Sequence, residues 1–513
     1  MSCLRIRTIA AAALATGLTA CAVGPDFKPP TAPQVSDAAR PYTATALPAQ
    51  TAGVDGPGGT AQRFTTGADV PALWWHMFKS EPLDALIRAA LAHSPTLASA
   101  QAALREAQEN YDADAGNKRL PAVDGQLGAT RERASQAASK VGGGAVYNLF
   151  NASVDVSYTV DAFGAVKREL EGLQAQVDLQ RYQVEAAYLS LTANLVTTAI
   201  QEASLRAQLD ATRAVIDAQT SALALVRKQV EFGAVAQQPV LAQQAQLAQT
   251  RATIPALEKA LAQTRQQLAV YAGRLPGDDG LPEFSLDSLH LPADLPLSLP
   301  SSLVRQRPDI QAAEATLHAA SAQVGVATAN LYPQITLSGS LGLQSLKVGD
   351  LFNGNSLAWS LGAGLLAPIF NGGALQAKQR AAEAAYDQAL AQYRQTVLNA
   401  FLNVANTLRA LDSDANALQA QAEAESLARQ SLDLIDRQVA AGALTQLQRL
   451  SAQQTVQQTR IALVQARAAR YADTAALFTA LGGGWWNRGA LAAATTPPAF
   501  AASAPSASPP PTK

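Results

Sequence analysis

Residues 151–161 read NASVDVSYTVD, with apolar or small side chains at the even positions and polar ones at the odd positions. A period of two puts alternate side chains on opposite faces of a β-strand, so this stretch predicts a strand with one apolar and one polar face. Three other stretches alternate similarly, and no further segment does. The four predicted strands cover about 121–131, 151–161, 334–344 and 356–366.

The strand pair and the residues around it occur twice along the chain. Pro121 and Pro333, at the start of each pair, are 212 residues apart, and the later turn residues Gly233 and Gly442 are 209 apart. Such self-similarity predicts an internal two-fold repeat of one structural unit. The chain then divides into a signal peptide over 1–20, an acylated N-terminal extended segment over 21–70, a first repeat over 71–290, a second repeat over 291–486 and a disordered tail over 487–513.

Each repeat contains a helix that is very long for a globular protein. The predicted helices are a short one over 95–117 or 309–330, a long one over 167–232 or 377–441, and a return helix over 240–272 or 446–481. The 66 residues of 167–232 correspond to roughly 100 Å of α-helix. Apolar residues at heptad-like spacing over 386–411 predict a coiled-coil seam. These helices suit either the wall of a tube or a free coiled-coil rod, and only the tube accounts for the strands.

The predicted strands have the length that crosses a bilayer core when a strand is tilted, about ten residues. A soluble β-sandwich would need a second sheet, which no other segment supplies. In lipid, open sheet edges leave backbone groups unpaired, so that only closed barrels span the membrane. Four strands are too few to close a barrel, since the smallest common ones have about eight. Several copies of the chain are therefore predicted to share one barrel.

The N-terminus has the features of an exported lipoprotein. Arg5 and Arg7 precede an apolar core, and Leu18 to Cys21 read LTAC, which matches a lipobox. Cys21 is therefore predicted to carry the acyl groups, palmitate included, at the start of the mature chain. An ordinary signal peptide with a fortuitous cysteine is the alternative. Cys3 leaves with the signal, so one cysteine remains and no internal disulfide can form.

Composition and motifs exclude several function classes. Of the 39 Lys and Arg residues, two leave with the signal, so 37 remain against 40 Asp and Glu, a balance that does not favour nucleic acid as a partner. The four histidines are scattered, without metal-ligand spacing, and no nucleophile, phosphate-binding or zinc-protease motif occurs. The sequence therefore predicts no enzyme, no metal and no cofactor.

Two sets of residues are candidate functional sites. Asp124, Asp155 and Asp161 fall at polar positions of their strands and are predicted to face the water-filled lumen, where they would either favour cations or be merely solvated. At each tip, a turn joins the long helix to the return helix, and a glycine there can adopt the left-handed conformation that ends a helix. These tips are predicted either to dock a partner or to serve only as turns. The tip residues are Phe232, Gly233, Ala234, Gly442, Ala443 and Leu444.

Four stretches resemble one known family, the TolC-like outer membrane factors, in the lipoprotein branch that serves resistance-nodulation-division efflux pumps. They are Cys21–Pro30 (CAVGPDFKPP), Trp74–Phe78 (WWHMF), Arg305–Ile310 (RQRPDI) and Asn330–Ile335 (NLYPQI). The resemblance implies a mixed α and β fold, in which a homotrimer forms a twelve-stranded transmembrane β-barrel in the outer membrane. That barrel would continue into a long periplasmic α-helical barrel.

The resemblance also implies partners and a gate. A periplasmic adaptor would dock on the tips and an inner-membrane pump would drive export of drugs or other small toxic compounds. Some members of the family hold a closed gate with an acidic residue just after the second tip glycine, where this chain has Ala443 and Leu444. Asp433 and Asp436, about two turns upstream, are then the candidate gate residues. The outer channel of a type I protein secretion system and a periplasmic coiled-coil scaffold are the competing functions.

Overall fold

A computed structural model describes residues 22–31, 42–43, 45–133, 135, 146–278, 280–298 and 300–488. The strands are β1 (Arg63–Thr66), β2 (Ala122–Arg133), β3 (Val146–Val160), β4 (Asp294–Leu297), β5 (Gln334–Ser345) and β6 (Leu357–Leu366). The α-helices are α1 (Glu81–His93), α2 (Pro95–Arg119), α3 (Ala165–Glu231), α4 (Gln238–Tyr271), α5 (Pro300–Gln306), α6 (Pro308–Ala329), α7 (Ala374–Ala440) and α8 (Gln446–Ala480). The mixed α and β fold class predicted from the sequence is confirmed. Cys21 and the predicted tail beyond Arg488 lie outside the described residues.

The chain forms two compact units, and each takes residues from both sequence repeats. The first unit comprises residues up to Thr31, Ser99–Val184 and Asp309–Val397, and the second comprises Ala32–Ala98, Glu185–Pro308 and residues from Leu398 onward. The repeat is therefore a pattern of the sequence rather than a boundary between compact units.

The first unit contains an antiparallel sheet of four strands in the order β2–β3–β5–β6. The central pair, β3 with β5, joins the two repeats, with Val154 opposite Leu341 and Tyr158 opposite Leu337. The apolar face of this sheet is largely uncovered: Leu127 is 86 % exposed, Leu361 83 % and Trp359 73 %. A face of this kind buries no core within one chain, and it requires an apolar environment outside it.

The second unit contains the main apolar core. Trp74, Trp75 and Phe78 lie in a short 3-10 helix and are almost completely buried. The Trp74 ring stacks on Phe478 of α8 at a centroid distance of 5.6 Å and meets Trp75 edge-on at 6.1 Å. Aromatic rings bury a large apolar area, so this cluster joins the residues before α1 to the return helix α8.

The expectation that no further strands exist is wrong. β1 and β4 form a small parallel pair, in which Arg63 is opposite Asp294 and Thr66 is opposite Leu297. Each strand has only four residues, and β4 contains Pro296, so neither is long enough to show a period of two. Short strands are held by their surroundings rather than by their own pattern.

The residues before β1 are also better packed than their composition suggests. Arg470 of α8 is fully buried and donates from Nη2 to the Thr51 hydroxyl at 3.0 Å and to the Thr60 carbonyl at 2.6 Å. Gln62 is likewise buried and donates to the Pro292 carbonyl at 3.2 Å. This part of the predicted N-terminal extended segment is therefore held in place by polar side chains that are distant in sequence.

Replacing Trp74 with alanine should lower the stability of the second unit markedly. Removing a buried tryptophan typically costs about 3–5 kcal/mol, because the cavity adds to the lost transfer free energy. The measurement is the midpoint of thermal unfolding of the detergent-extracted protein. Phe232→Ala is the matched control, since that ring is 85 % exposed and its loss should leave the midpoint unchanged. Equal midpoints for the two variants would contradict the assignment of the core.

Candidate lumen face and helix tips

The polar face of the four-stranded sheet brings two of the predicted acidic residues together. Asp124 of β2 lies directly opposite Asp155 of β3, and the same row continues through Ser340 of β5 to Ser360 of β6. The Asp155 carboxylate accepts a hydrogen bond from the Ser153 hydroxyl at 2.8 Å. Two carboxylates directly opposite each other repel, which destabilises the strand pair. This row is therefore a concentration of negative charge and hydroxyl groups on one face of the sheet.

Asp161 does not belong to that row, and its predicted place on the polar face of a strand is wrong. β3 ends at Val160, and the Asp161 carboxylate accepts from the backbone N–H groups of Val166 at 3.1 Å and Lys167 at 2.8 Å. These N–H groups are among those that have no partner within the first turn of an α-helix. Asp161 is a helix cap for α3, and the alternation extended the predicted strand one residue too far.

At the first tip, α3 ends in a Schellman motif. Gly233 has a φ of 69°, its N–H donates to the Val230 carbonyl at 2.9 Å, and the Ala234 N–H donates to Gln229 at 2.8 Å. This left-handed conformation favours glycine over any residue with a Cβ. Phe232 at the tip projects into solvent with 85 % of its surface exposed.

The second turn repeats the same geometry. Gly442 has a φ of 76°, its N–H donates to the Val439 carbonyl at 3.0 Å, and the Ala443 N–H donates to Gln438 at 2.8 Å. Ala443 is exposed and Leu444 is half-buried. The six predicted tip residues therefore lie in two equivalent turns, and five of them are exposed.

The two hairpins are held in different ways. Beneath the first tip, an apolar cluster joins α3 to α4. Its buried members are Leu223, Val226, Val240 and Leu247. At the second hairpin, Asp436 near the end of α7 contacts Arg449 in the first turn of α8, with 2.7 Å between Oδ1 and Nε. The first hairpin is thus closed by apolar packing, and the second by a charge pair across the turn.

The other candidate gate residue makes only a local contact. Asp433 pairs at 2.5 Å with Arg437, four residues later on the same helix, and both side chains are mostly exposed. Such a pair bridges one turn of α7 and is made within a single helix. Of the two candidates, only Asp436 connects the helices of the second hairpin.

Sequence reasoning missed Arg449 and a hydrogen bond between the hairpins. The Gln446 side-chain amide donates to the Gln229 side chain at 3.1 Å, which joins the start of α8 to the end of α3. A signal for Arg449 was present: Thr445 and Gln448 form a capping box, which fixes the start of α8 and puts Arg449 in its first turn. Its pairing with Asp436 follows only once the turn geometry is known.

Two other kinds of feature are absent from the described residues. No group of three or more His, Cys, Asp or Glu side chains within the described ranges could hold a metal ion. In the same part of the chain, no α-helix combines the length and the apolar character needed to cross a membrane.

Comparisons with known proteins agree with this geometry. The sequence profile of a family described as "Outer membrane efflux protein" matches residues 86–274 and 299–483. The chain is 35 % identical over 419 residues to the pyoverdine export outer membrane protein OpmQ of Pseudomonas aeruginosa, covering 80 % of this chain and 87 % of OpmQ. It is 28 % identical over 479 residues to the cation efflux system protein CusC of Escherichia coli, covering 92 % and 97 %. The solved structure of the outer-membrane channel OprN superposes with a TM-score of 0.81 at 27 % identity, covering 91 % and 100 %.

Proposed function

The chain belongs to the outer membrane efflux protein family, and on this premise we propose that it acts as a homotrimer, the exit duct of a tripartite efflux pump. It is an efflux channel located in the outer membrane and extending into the periplasm. The partners in this proposal are outer membrane lipid, a periplasmic adaptor and an inner-membrane pump of the resistance-nodulation-division class.

The open edges of the four-stranded sheet are the observation that supports a trimer. β2 and β6 are the edge strands, and each pairs on one side only among the described residues. Unpaired backbone groups in hydrocarbon cost several kcal/mol each, so the edges need partner strands. Pairing β6 of one copy with β2 of the next satisfies both edges, and three copies supply twelve strands. The exposed apolar face, with Leu127 and Trp359, then faces lipid.

The proposed cargo is small. OpmQ is named for pyoverdine export and CusC for cation efflux, and both cover most of this chain. We propose that this channel likewise exports drugs or other small toxic compounds rather than folded proteins. The lipobox at Cys21 and the RQRPDI stretch at Arg305–Ile310 support efflux over the type I secretion alternative.

A deletion strain tests this function. Loss of the channel should make at least one exported small compound more toxic, with full resistance restored by a plasmid copy, because the pump then has no exit. The measurement is a panel of minimum inhibitory concentrations covering antibiotics, dyes, metal ions and iron chelators. An unchanged panel, together with the loss of a secreted protein from the culture medium, would favour type I secretion instead.

For the gate, we propose that the Asp436–Arg449 pair holds the two helices of the second hairpin together and that this hairpin moves when the channel opens. The Asp436 side chain is 40 % exposed and that of Arg449 18 %, so both charged groups are partly hydrated, although the facing atoms Oδ1 and Nε are themselves buried. The apolar cluster under the first tip has no such hydration, and separating it exposes hydrocarbon. The hairpin held by charge is therefore the easier one to open, and the exposed tips offer the docking surface for the adaptor.

Arg449→Ala should raise the open probability of the channel. A partly exposed ion pair contributes about 0.5–1 kcal/mol, so the open state should gain roughly twofold to fivefold per subunit. The measurement is the open probability in single-channel recordings in planar bilayers, supported by entry of a large antibiotic into cells. Arg437→Ala is the matched control, because it removes an exposed charge pair within one helix. Equal open probabilities for the two variants would rule out this role of the Asp436–Arg449 pair.

Two of the three aspartates predicted to face the lumen lie on the polar face of the sheet, whereas Asp161 caps α3. We propose that Asp124 and Asp155 favour cations in the trimeric barrel, where six carboxylates would share one ring. Asp124→Asn with Asp155→Asn should then abolish any cation preference in reversal-potential measurements across a salt gradient. Asp161→Asn serves as the control and should leave selectivity unchanged, since that side chain caps α3. Selectivity that survives the double substitution would leave the two aspartates without this role.

A further inference from the structure

Residues 22–27, directly after the predicted acylation site, are bound by the rest of the first unit. The Val23 N–H donates to the Phe163 carbonyl at 3.1 Å, just beyond the end of β3. At the other end, the Phe27 ring stacks on the His318 ring of α6, with centroids 4.2 Å apart and planes 12° apart. The segment is thus held both at the start of α3 and on α6.

Arg168 of α3 is the main receptor of this segment. Its side chain is 3 % exposed, a burial that is costly for a charged group unless the charge is paired. Nε donates to the Val23 carbonyl and Nη2 to the Gly24 carbonyl, both at 3.4 Å, and Nη2 also donates to the Asp26 carboxylate at 2.6 Å. Three of the contacts of this buried guanidinium are therefore made to residues 22–27.

Glu171 aligns both groups that receive the segment. It accepts from Arg168 Nη1 at 2.8 Å, and its other oxygen lies 2.9 Å from His318 Nε2. Burial alone would raise the pKa of Glu171, but the hydrogen bonds from Arg168 and His318 bring that pKa below its ordinary value. The hydrogen bond and charge of Arg168 likewise lower the pKa of Asp26. At neutral pH, both carboxylates are charged and hold the guanidinium between them.

The fit between the segment and its receptor leaves no room for side chains at two glycines. A Cβ on Gly24 would lie 2.6 Å from the Cα of Gly325 in α6, and a Cβ on Gly325 would lie 2.7 Å from Arg168 Cγ. Gly24 also has a φ of 91°, in the left-handed region that favours glycine. The contact is therefore one in which a peptide backbone lies directly on a helix.

We propose that residues 22–27 form an N-terminal latch, that Arg168 is its receptor, and that seating of the latch is required for stable assembly of the oligomer in the outer membrane. The proposal rests on the proposed function, since it needs β3 to cross the membrane. Ala22 packs against Gly164, four residues after the end of β3. Because Cys21 is bonded to Ala22, the latch would fix the lipid anchor at the level where β3 leaves the membrane. A loose N-terminus would set no such level.

The test compares variants on both sides of the contact in the full-length protein. Arg168→Ala removes the receptor, Gly325→Ala fills the space under Gly24, and Gly24→Ala changes only the latch. Gly116→Ala is the control, a helical glycine of the same unit whose added Cβ meets nothing within 4 Å. The readouts are hydrogen–deuterium exchange of the peptide that contains Val23 and the amount of heat-modifiable oligomer in outer membrane fractions.

We expect exchange at Val23 to rise about tenfold or more in the three variants. Arg168→Ala removes the hydrogen bonds from a charged group, and each alanine in place of glycine pushes the segment away from α6. Oligomer yield should fall severalfold in the same variants and stay at the wild-type level in Gly116→Ala. Wild-type yield in Gly24→Ala with faster exchange, or unchanged exchange in all variants, would overturn the proposal. Failure of the unaltered protein to form any heat-modifiable oligomer would instead count against the proposed function, and it would do so independently of the latch.

Discussion

The unpaired edges of the four-stranded sheet are the constraint on which the rest of the structure depends. Each edge strand carries backbone N–H and C=O groups that a membrane cannot hydrate, and among the described residues β2 and β6 have neighbours on one side only. In the proposed trimer, each chain resolves this by forming a fraction of one barrel. The apolar row that includes Leu341 and Trp359 fits the same solution, because both side chains are exposed and no core within the described residues covers them. The second unit thus has an apolar core of its own, whereas the sheet of the first unit finds its partner strands only in the proposed trimer.

Two kinds of contact hold the segments of the second unit together. Around Trp74 and Phe478 the contacts are apolar, and separating them would expose a large hydrocarbon area to water. Near the tips, polar contacts such as Gln229 with Gln446 and Asp436 with Arg449 join neighbouring helices. Water can replace polar partners at little cost, whereas it cannot replace apolar ones. The chemistry of the helix–helix contacts thus changes along the same long helices.

Much of the fold follows from local patterns in the sequence, and the family resemblance drawn from four short motifs is confirmed. The alternation in 151–161 predicts β3 because which face a strand residue occupies depends only on its position. The same rule fails at Asp161, where the helix that follows recruits the carboxylate as a cap. β1 and β4 escape prediction because four residues carry no usable period. Arg470 and Arg168 escape it for another reason: their partners are distant in sequence, and only the folded chain brings them together.

The interleaving of the two compact units has a consequence for biogenesis. A secreted chain emerges N-terminus first, yet β3 pairs with β5, and each unit contains segments from both halves of the sequence. Neither unit can be completed while the second repeat is still crossing the inner membrane. During that interval the first repeat exposes apolar strand residues such as Val154 and Leu127 to the aqueous periplasm. Until the second repeat arrives, these apolar strand residues have no complete sheet to join, and exposed strands of this kind are prone to aggregation.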